Sequence, residues 1–138
     1  MPVSFKELVE VFQFVSLGAI YENAAFLCRQ SGKLYVHSEV VDEEELPDDI
    51  EDDEKYIQLP HKLQLDLGKP LVFAFTRQFL PDDYDEVRGI FSRKGGYARF
   101  KGMLQRKGAL TQWYDFEAKA EEEALRDWCT LHSIELIE

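Results

Sequence analysis

The sequence has few of the residues that mark secreted, metal-binding or membrane-spanning proteins. Its 138 residues include two cysteines and three histidines, and no long apolar run occurs. Two cysteines far apart in sequence do not suit the disulfide framework of a small secreted protein. The first ten residues, MPVSFKELVE, lack the apolar stretch of a signal peptide or a membrane span. We therefore expect a cytoplasmic protein that does not enter a membrane.

Recognisable catalytic and metal-ligand motifs are also missing. His37, His61 and His132 stand alone, without the paired spacing of a zinc site. Neither Cys28 nor Cys129 lies in a nucleophile motif, and we expect both to be buried. We predict no cofactor, no metal site and no catalytic residue, although an enzyme assembled from distant residues stays an alternative.

The composition is nevertheless that of a folded protein. Hydrophobic residues make up 45% of the chain and aromatic residues 13%, far from the composition of a disordered segment. A chain of this length fits one domain and buries roughly two thirds of its unfolded surface. We predict a single domain over residues 1–138, with one hydrophobic core.

Charge is distributed very unevenly. The net charge is −11, yet residues 39–54 hold eleven acids and no base, so the remainder balances at 16 acids against 16 bases. Residues 87–114 hold seven bases and no acid. The acidic run is too self-repelling to fold alone, and we predict a mobile acidic loop over residues 42–54.

Local patterns in the first half predict a helix followed by a small antiparallel sheet. A helix over residues 4–17 has Ser4 as its N-cap and Glu7 as the capping-box partner, and we expect Gly18 to end it. A change to strand periodicity predicts a hairpin within residues 23–41, with Gly32 in the turn. Residues 56–59 are a third strand candidate that ends at Pro60.

The second half is helical. We predict helices over residues 70–80, from Asp82 or Asp83 to about residue 92, from the pair Gly95-Gly96 to Gly108, and from near Thr111 onward. Residues 133–137 favour a terminal strand. The fold class is α+β, with a small antiparallel sheet (the hairpin plus a third strand) packed with about five helices. The face predicted for the last helix consists of Trp113, Phe116, Ala120, Ala124, Trp128 and Leu131.

Four short motifs occur in a recognisable order: YIQLP at residues 56–60, GGYARFK at 95–101, WYDFE at 113–117 and DWC at 127–129. In this order and spacing the chain resembles the uncharacterised bacterial protein family numbered 0158 in the UPF series. The resemblance covers most of the chain and implies the same order of elements and a bacterial cytoplasmic setting. That family has no established activity, so the resemblance implies no catalytic or binding residue.

The basic stretch contains the best candidate for an anion or nucleic-acid site. A glycine pair at a helix start lets main-chain N–H groups approach an anion, and neighbouring cations strengthen the attraction. The alternative is an ordinary turn between two helices with a solvated basic rim. The candidate residues are Arg88, Arg93, Lys94, Gly95, Gly96, Arg99 and Arg106.

Nucleic acid is a possible partner for the same stretch, because bases alternate with aromatic rings that can stack on nucleobases. Helical periodicity places Phe100 with Met103 and Leu104 in the core, and it groups Tyr97 with the same stripe. Because Phe100 is assigned to the core, Tyr97 or Tyr114 is left as the candidate ring for stacking on a nucleobase.

Three hypotheses account for the acidic run: a solvated loop, a docking segment for a basic partner, or a competitor that covers the chain's own basic surface. Our leading prediction is a non-catalytic binding or regulatory module that acts through electrostatic contacts with a protein partner. The alternatives are a nucleic-acid binder that the acidic loop masks, and a small enzyme without a recognisable motif.

Overall fold

A computed structural model describes residues 2–20, 22–38 and 46–138 of the chain. Within these residues the strands are β1 (Val3–Ser4), β2 (Asn23–Cys28), β3 (Leu34–Ser38), β4 (Tyr56–Gln58) and β5 (Leu136–Ile137). The helices are α1 (Phe5–Val15), α2 (Lys69–Phe79), α3 (Tyr84–Ile90), α4 (Gly96–Arg106) and α5 (Leu110–Leu131). Five helices and a small antiparallel sheet confirm the predicted α+β class.

The chain divides into two compact units, each with its own hydrophobic core. Residues 1–65 and 122–138 form the first, which we call the sheet unit, and residues 66–121 form the second, the helical unit. Two cores stand where the sequence predicted one. The assignment of the whole chain to a single domain stays a prediction.

The antiparallel sheet of the sheet unit has the order β3-β2-β4. The hairpin joins Cys28 to Leu34 through a turn in which Gly32 has φ 74°, so the left-handed conformation expected of this glycine is confirmed. Strand β4 pairs with the other side of β2, with Ile57 opposite Leu27. The predicted third strand is thus confirmed, while residues 39–41 of the predicted hairpin lie outside the described residues.

Helix α1 begins where the sequence indicates. The Ser4 hydroxyl accepts a hydrogen bond from the Glu7 N–H at 3.3 Å, which confirms Ser4 as the N-cap. The helix ends earlier than predicted, at Val15, because Ser16 is its C-cap and Gly18 lies beyond it. Leu8, Phe12 and Val15 are its buried residues.

The core of the sheet unit combines side chains from α1, the sheet and the end of α5. Leu8, Ala25 and Leu27 are almost fully buried. Trp128 and Cys129 on α5 belong to the same cluster. The unit therefore needs residues from both ends of the described chain to complete its core.

A second small sheet was not predicted. Strand β5 pairs with β1 in parallel, with Val3 opposite Leu136, so the terminal strand lies outside the antiparallel sheet. Arg126 supports this region, because its guanidinium bonds to both Glu122 and Glu138 and lies 4.0 Å from the centre of the Phe5 ring.

The helical unit packs its four helical segments around Trp113, which is 1% exposed. The rings of Phe75 and Phe100 meet the indole edge to face, each with 5.3 Å between ring centres. Phe116 stacks on it at 6.4 Å. The indole Nε1 is buried and has no hydrogen-bond partner in the described residues, so aromatic packing is what holds this ring.

Two predictions about the buried faces of the helices need correction. Leu131, assigned to the core face of α5, is 78% exposed, because it is the last helical residue before the chain turns at Ser133 with φ 57°. Leu125, which we did not predict, is fully buried. Tyr97 is 38% exposed rather than part of a buried stripe. Asp83, one of the two predicted starting residues, is the N-cap of α3, although its side chain makes no capping hydrogen bond.

Among the described residues, no helix combines the length and apolar character that crossing a membrane requires.

A pair of leucines on and just after α1 tests the burial pattern. Leu8→Ala removes a side chain with 0% exposure and should lower the free energy of unfolding by about 2–5 kcal/mol. Leu17 is 79% exposed, so Leu17→Ala should change it by less than about 0.5 kcal/mol. Urea denaturation followed by circular dichroism measures both values, and equal losses would contradict the assigned core.

Candidate functional site

Most of the predicted anion-site residues lie around the turn between α3 and α4, whereas Arg106 is the last residue of α4, at the end of the helix away from this turn. Arg88 is on α3, Arg93 and Lys94 are in the turn, and Arg99 and Arg106 are on α4. We call these five exposed side chains the basic surface. In the part of the chain that the structure describes, none of them forms an ion pair with a carboxylate.

Arg99 braces this turn. Its Nη2 donates to the main-chain oxygen of Ile90 at 2.9 Å and to that of Arg93 at 3.2 Å. Ile90 is the last residue of α3, so the guanidinium satisfies a carbonyl that the helix leaves unpaired at its C-terminus. Arg99 therefore has a structural role that the sequence did not indicate, and part of its hydrogen-bonding capacity is already used.

The glycine pair is explained by backbone conformation and packing. Gly95 has φ 78°, a conformation that favours glycine, and it is the N-cap of α4. Gly96 is buried, and a Cβ added there would lie 2.7 Å from Cδ1 of Phe91. Both glycines thus have structural reasons to be present, and anion binding at this turn stays a prediction.

Exposed aromatic rings lie nearby on α4 and α5. Tyr97 is 38% exposed and Tyr114 is 45% exposed, and Nζ of Lys101 lies 5.7 Å from the centre of the Tyr114 ring. Burial raises the pKa of the Tyr97 phenol, and the nearby Glu117 carboxylate adds to the effect. Phe100 is buried as predicted, so Tyr97 and Tyr114 are the rings left for stacking.

The described part of the acidic run, residues 46–54, forms consecutive turns, and we call it the acidic segment. The N–H of Tyr56 and the N–H of Lys55 both donate to the Asp52 carbonyl, at 2.9 and 3.0 Å. Lys55 also forms an ion pair with Asp49 at 2.8 Å, and this hydrogen bond lowers the pKa of the Asp49 carboxyl. Residues 42–45 lie outside the described residues, and the mobility of the loop stays a prediction.

Four carboxylates of the acidic segment are exposed and have no cationic partner within the described ranges. They are Asp48, Glu51, Asp53 and Glu54. The surrounding sequence adds to this charge, because the sheet unit has 19 acids against 6 bases and the helical unit has 8 against 10. Net charges of −13 and +2 follow, which together give the −11 of the chain.

A cleft of about 330 Å³ opens on the sheet unit, and no sequence pattern indicated it. Val15, Ile20, Leu59, Pro60, Leu65 and Trp128 provide its apolar walls. Its polar lining consists of three side-chain amides and one imidazole, from Asn23, Gln58, Gln64 and His61. No charged side chain of the described residues lines it, and we call it the neutral cleft.

His61 joins the two loops beside the neutral cleft. It is 2% exposed, and its Nδ1 accepts a hydrogen bond from the Leu63 N–H at 3.0 Å. The proton is therefore on Nε2, which donates to the Gly18 carbonyl at 2.7 Å. Lys62 reinforces the junction, because its N–H donates to the Ser16 hydroxyl at 3.1 Å. Both nitrogens of the neutral imidazole are thus occupied, which indicates a structural role.

Three large aliphatic side chains on these two joined loops are exposed to solvent. Leu17 is 79% exposed, Ile20 38% and Leu63 49%. Exposed apolar residues that form one patch are typical of an interaction surface, and these three lie on loops that the His61 and Lys62 hydrogen bonds join.

The cysteines show opposite surroundings. Burial raises the pKa of Cys129 to about 11. Cys28 is only half-buried, contrary to prediction, and hydrogen bonds from the Ser31 side chain and main chain lower the pKa of its thiol. Among the described residues, no group of three or more His, Cys, Asp and Glu side chains is placed to hold a metal ion.

Substituting two glycines near the basic surface tests whether close packing requires glycine at position 96. Gly96→Ala forces the Phe91 ring to move and should lower the free energy of unfolding by about 1–3 kcal/mol. Gly89→Ala in α3 meets no atom within 4 Å and should raise it by up to about 1 kcal/mol. Thermal and urea denaturation measure both, and an unchanged Gly96→Ala variant would contradict the packing role.

Comparison with known proteins gives no indication of function. Neither a protein family, nor a curated protein, nor a solved structure matches this chain.

Proposed function

We propose that this protein is a non-catalytic binding or regulatory module that docks a basic segment of a protein partner through its sheet unit. The exposed, unpaired carboxylates of Asp48, Glu51, Asp53 and Glu54 carry this proposal. They belong to a unit with 19 acids against 6 bases, so a basic segment approaches an attractive field.

The magnitude of such contacts decides what they do. One exposed ion pair contributes at most about 1 kcal/mol, and salt at physiological concentration screens charges beyond about 8 Å. Several such pairs therefore increase the rate and selectivity of encounter more than the final affinity. The acidic segment supports recognition of a basic partner, and tight binding requires a further contact.

We also propose a bacterial cytoplasmic setting and membership of the UPF family 0158. The ordered motifs YIQLP, GGYARFK, WYDFE and DWC support the family, and two free thiols, Cys28 and Cys129, support a reducing compartment.

Nucleic-acid binding by the basic surface is a second candidate function. Arg88, Arg93, Lys94 and Arg106 are exposed without carboxylate partners among the described residues, which leaves them available for phosphates. Two features favour the protein partner instead: Arg99 is engaged with carbonyls, and Tyr97 lies near the Glu117 carboxylate.

Neutralising the acidic segment tests the proposed function. The probe is a fluorescein-labelled peptide, Lys-Lys-Ala-Ser-Ala-Lys-Lys, and the measurement is fluorescence anisotropy at low and at physiological salt. The neutralised protein should bind about tenfold more weakly, because four pairs of roughly 0.3–0.5 kcal/mol are lost. The variant carries the substitutions Asp48→Asn, Glu51→Gln, Asp53→Asn and Glu54→Gln.

The matched control removes four exposed acids of the helical unit and changes the net charge equally. It should bind the peptide as the unaltered protein does. An equal loss in both variants would show that only net charge matters, and an absence of binding by the unaltered protein would refute the proposal. The control carries Asp82→Asn, Asp85→Asn, Glu86→Gln and Asp115→Asn.

A deletion tests the second candidate. Removing residues 42–54 should strengthen binding of labelled oligo-dT at low salt, and added salt should weaken that binding, if the loop masks the basic surface. Replacing Arg88, Arg93, Lys94 and Arg106 by Ala in the deleted protein should abolish it. Arg99 is kept because it braces the α3–α4 turn. No binding by the deleted protein would exclude this function.

A further inference from the structure

We propose that the neutral cleft is an anchor pocket for one large apolar side chain from an extended, Lys/Arg-flanked segment of the partner protein. This inference rests on the proposed function and adds the contact that electrostatics alone does not supply. It assigns the partner's central residue to the cleft and its basic flanks to the acidic surroundings.

The size of the neutral cleft suits an apolar anchor, and apolar side chains form part of its walls. Its volume of about 330 Å³ lies at the lower end of the range, about 300–1,000 Å³, that is typical of ligand pockets. Trp128, Leu59 and Val15 form its buried walls, and Ile20 stands partly exposed at the cleft. Burying one aliphatic or aromatic side chain there gives affinity that salt does not screen.

The polar lining suits the main chain of a peptide. The Asn23 Nδ2 donates to the Phe14 carbonyl, which leaves the side-chain oxygen to accept. The Gln64 Oε1 accepts from the His61 N–H, which leaves the side-chain NH₂ to donate. Uncharged donors and acceptors of this kind pair with the N–H and C=O groups that an extended peptide presents.

Among the described strands, β4 is an edge strand of the antiparallel sheet, and it lies next to the cleft. The Leu59 N–H donates to the Ala25 carbonyl, and the Arg29 N–H donates to the Lys55 carbonyl. Because hydrogen-bonded and non-hydrogen-bonded pairs alternate along an antiparallel ladder, Gln58 and Phe26 form a non-hydrogen-bonded pair. The N–H and C=O of Gln58 therefore point away from β2, toward a side where no described strand pairs. Gln58 also lines the cleft, so an extended segment along this edge passes its side chains over the cleft.

The charge in and around the cleft determines which residue types suit the centre and the flanks of the partner's segment. No charged group of the described residues lines the cleft, so a charged anchor would lose water without gaining a partner. Outside the cleft the sheet unit has a net charge of −13, which favours Lys and Arg in the flanks. A second copy of the chain is disfavoured, because it would bring another equally acidic unit.

The cleft is also held in shape before binding. The hydrogen bonds from His61 to Gly18 and from Lys62 to Ser16 fix the two loops that carry Leu17, Ile20 and Leu63. A pocket that is already formed loses less entropy on binding than a flexible loop does.

Three labelled peptides test the inference: Lys-Lys-Ala-Xaa-Ala-Lys-Lys with Leu, Phe or Ser at the centre. The unaltered protein should bind the Leu and Phe peptides about tenfold or more tightly than the Ser peptide, since only these bury an apolar anchor. Ile20→Ser should reduce that ratio. Leu131→Ser is the matched control, because Leu131 is exposed on the sheet unit but does not line the cleft, and it should leave the ratio unchanged.

Nuclear magnetic resonance locates the site independently. The indole N–H signal of Trp128 should shift on adding the Leu peptide, while the signal of buried Trp113 should not. Shifts confined to residues 48–54 would show that the peptide binds without using the cleft and would overturn the inference.

The remaining outcomes separate this inference from the proposed function. Equal affinity for all three peptides, lost on neutralising the acidic segment, would leave the proposed function standing and refute the anchor. A Ser-flanked Leu peptide that binds as tightly as its Lys-flanked counterpart would refute the basic flanks. No binding of any Lys-flanked peptide would refute both proposals. Binding of free indole at Trp128 without any peptide binding would identify a small-molecule pocket and overturn the peptide occupant.

Discussion

Burial of two indole rings on one helix is the constraint on which both cores depend. Trp113 is enclosed by phenylalanine rings in the helical unit, and Trp128 lies in the core of the sheet unit. Aromatic side chains bury more area than other residues, so each ring supplies much of the driving force for its core. The orientation of α5 about its axis is therefore fixed at Trp113 and at Trp128, and the polar residues between them lie on the other faces of the helix.

Around these cores, charge and apolar surface have different tasks. In the proposed function, the carboxylates of the acidic segment attract a basic partner over a distance, but each exposed pair contributes little to affinity. The neutral cleft, as the proposed anchor pocket, acts only at contact, where removal of apolar area from water is unaffected by salt. A module that needs selective yet reversible binding benefits from both contributions. Salt and charge modification change the electrostatic attraction without altering the free energy gained by burying apolar area.

Local signals in the sequence predicted most of the fold. Ser4 and Glu7 marked the start of α1, Gly32 marked the hairpin, and the spacing of Phe100, Met103 and Leu104 marked a buried face. What the sequence could not predict depends on residues distant in the chain. The pairing of β5 with β1, the burial of Leu125 and the exposure of Leu131 follow from tertiary packing, which no local period encodes.

The candidate sites divide in the same way. The positions of the charged residues along the sequence show that acids and bases are segregated, and this segregation indicated the basic surface and the acidic segment. The neutral cleft was not indicated in this way, because His61 bonds to a carbonyl 43 residues away and Trp128 comes from the far end of the chain. Arg99 and Gly96 were assigned to an anion on local pattern, while their contacts with Ile90 and Phe91 give each a structural role.

The discontinuous sheet unit has a consequence for biosynthesis on the ribosome. Residues 66–121 are contiguous, so the helical unit has all of its core residues as soon as that stretch has been synthesised. The sheet unit lacks Trp128, Cys129 and the strand β5 until residues 122–138 have emerged. Its acidic first portion is thus present for most of translation without a complete core, and the carboxylates that repel one another there also keep nascent chains apart.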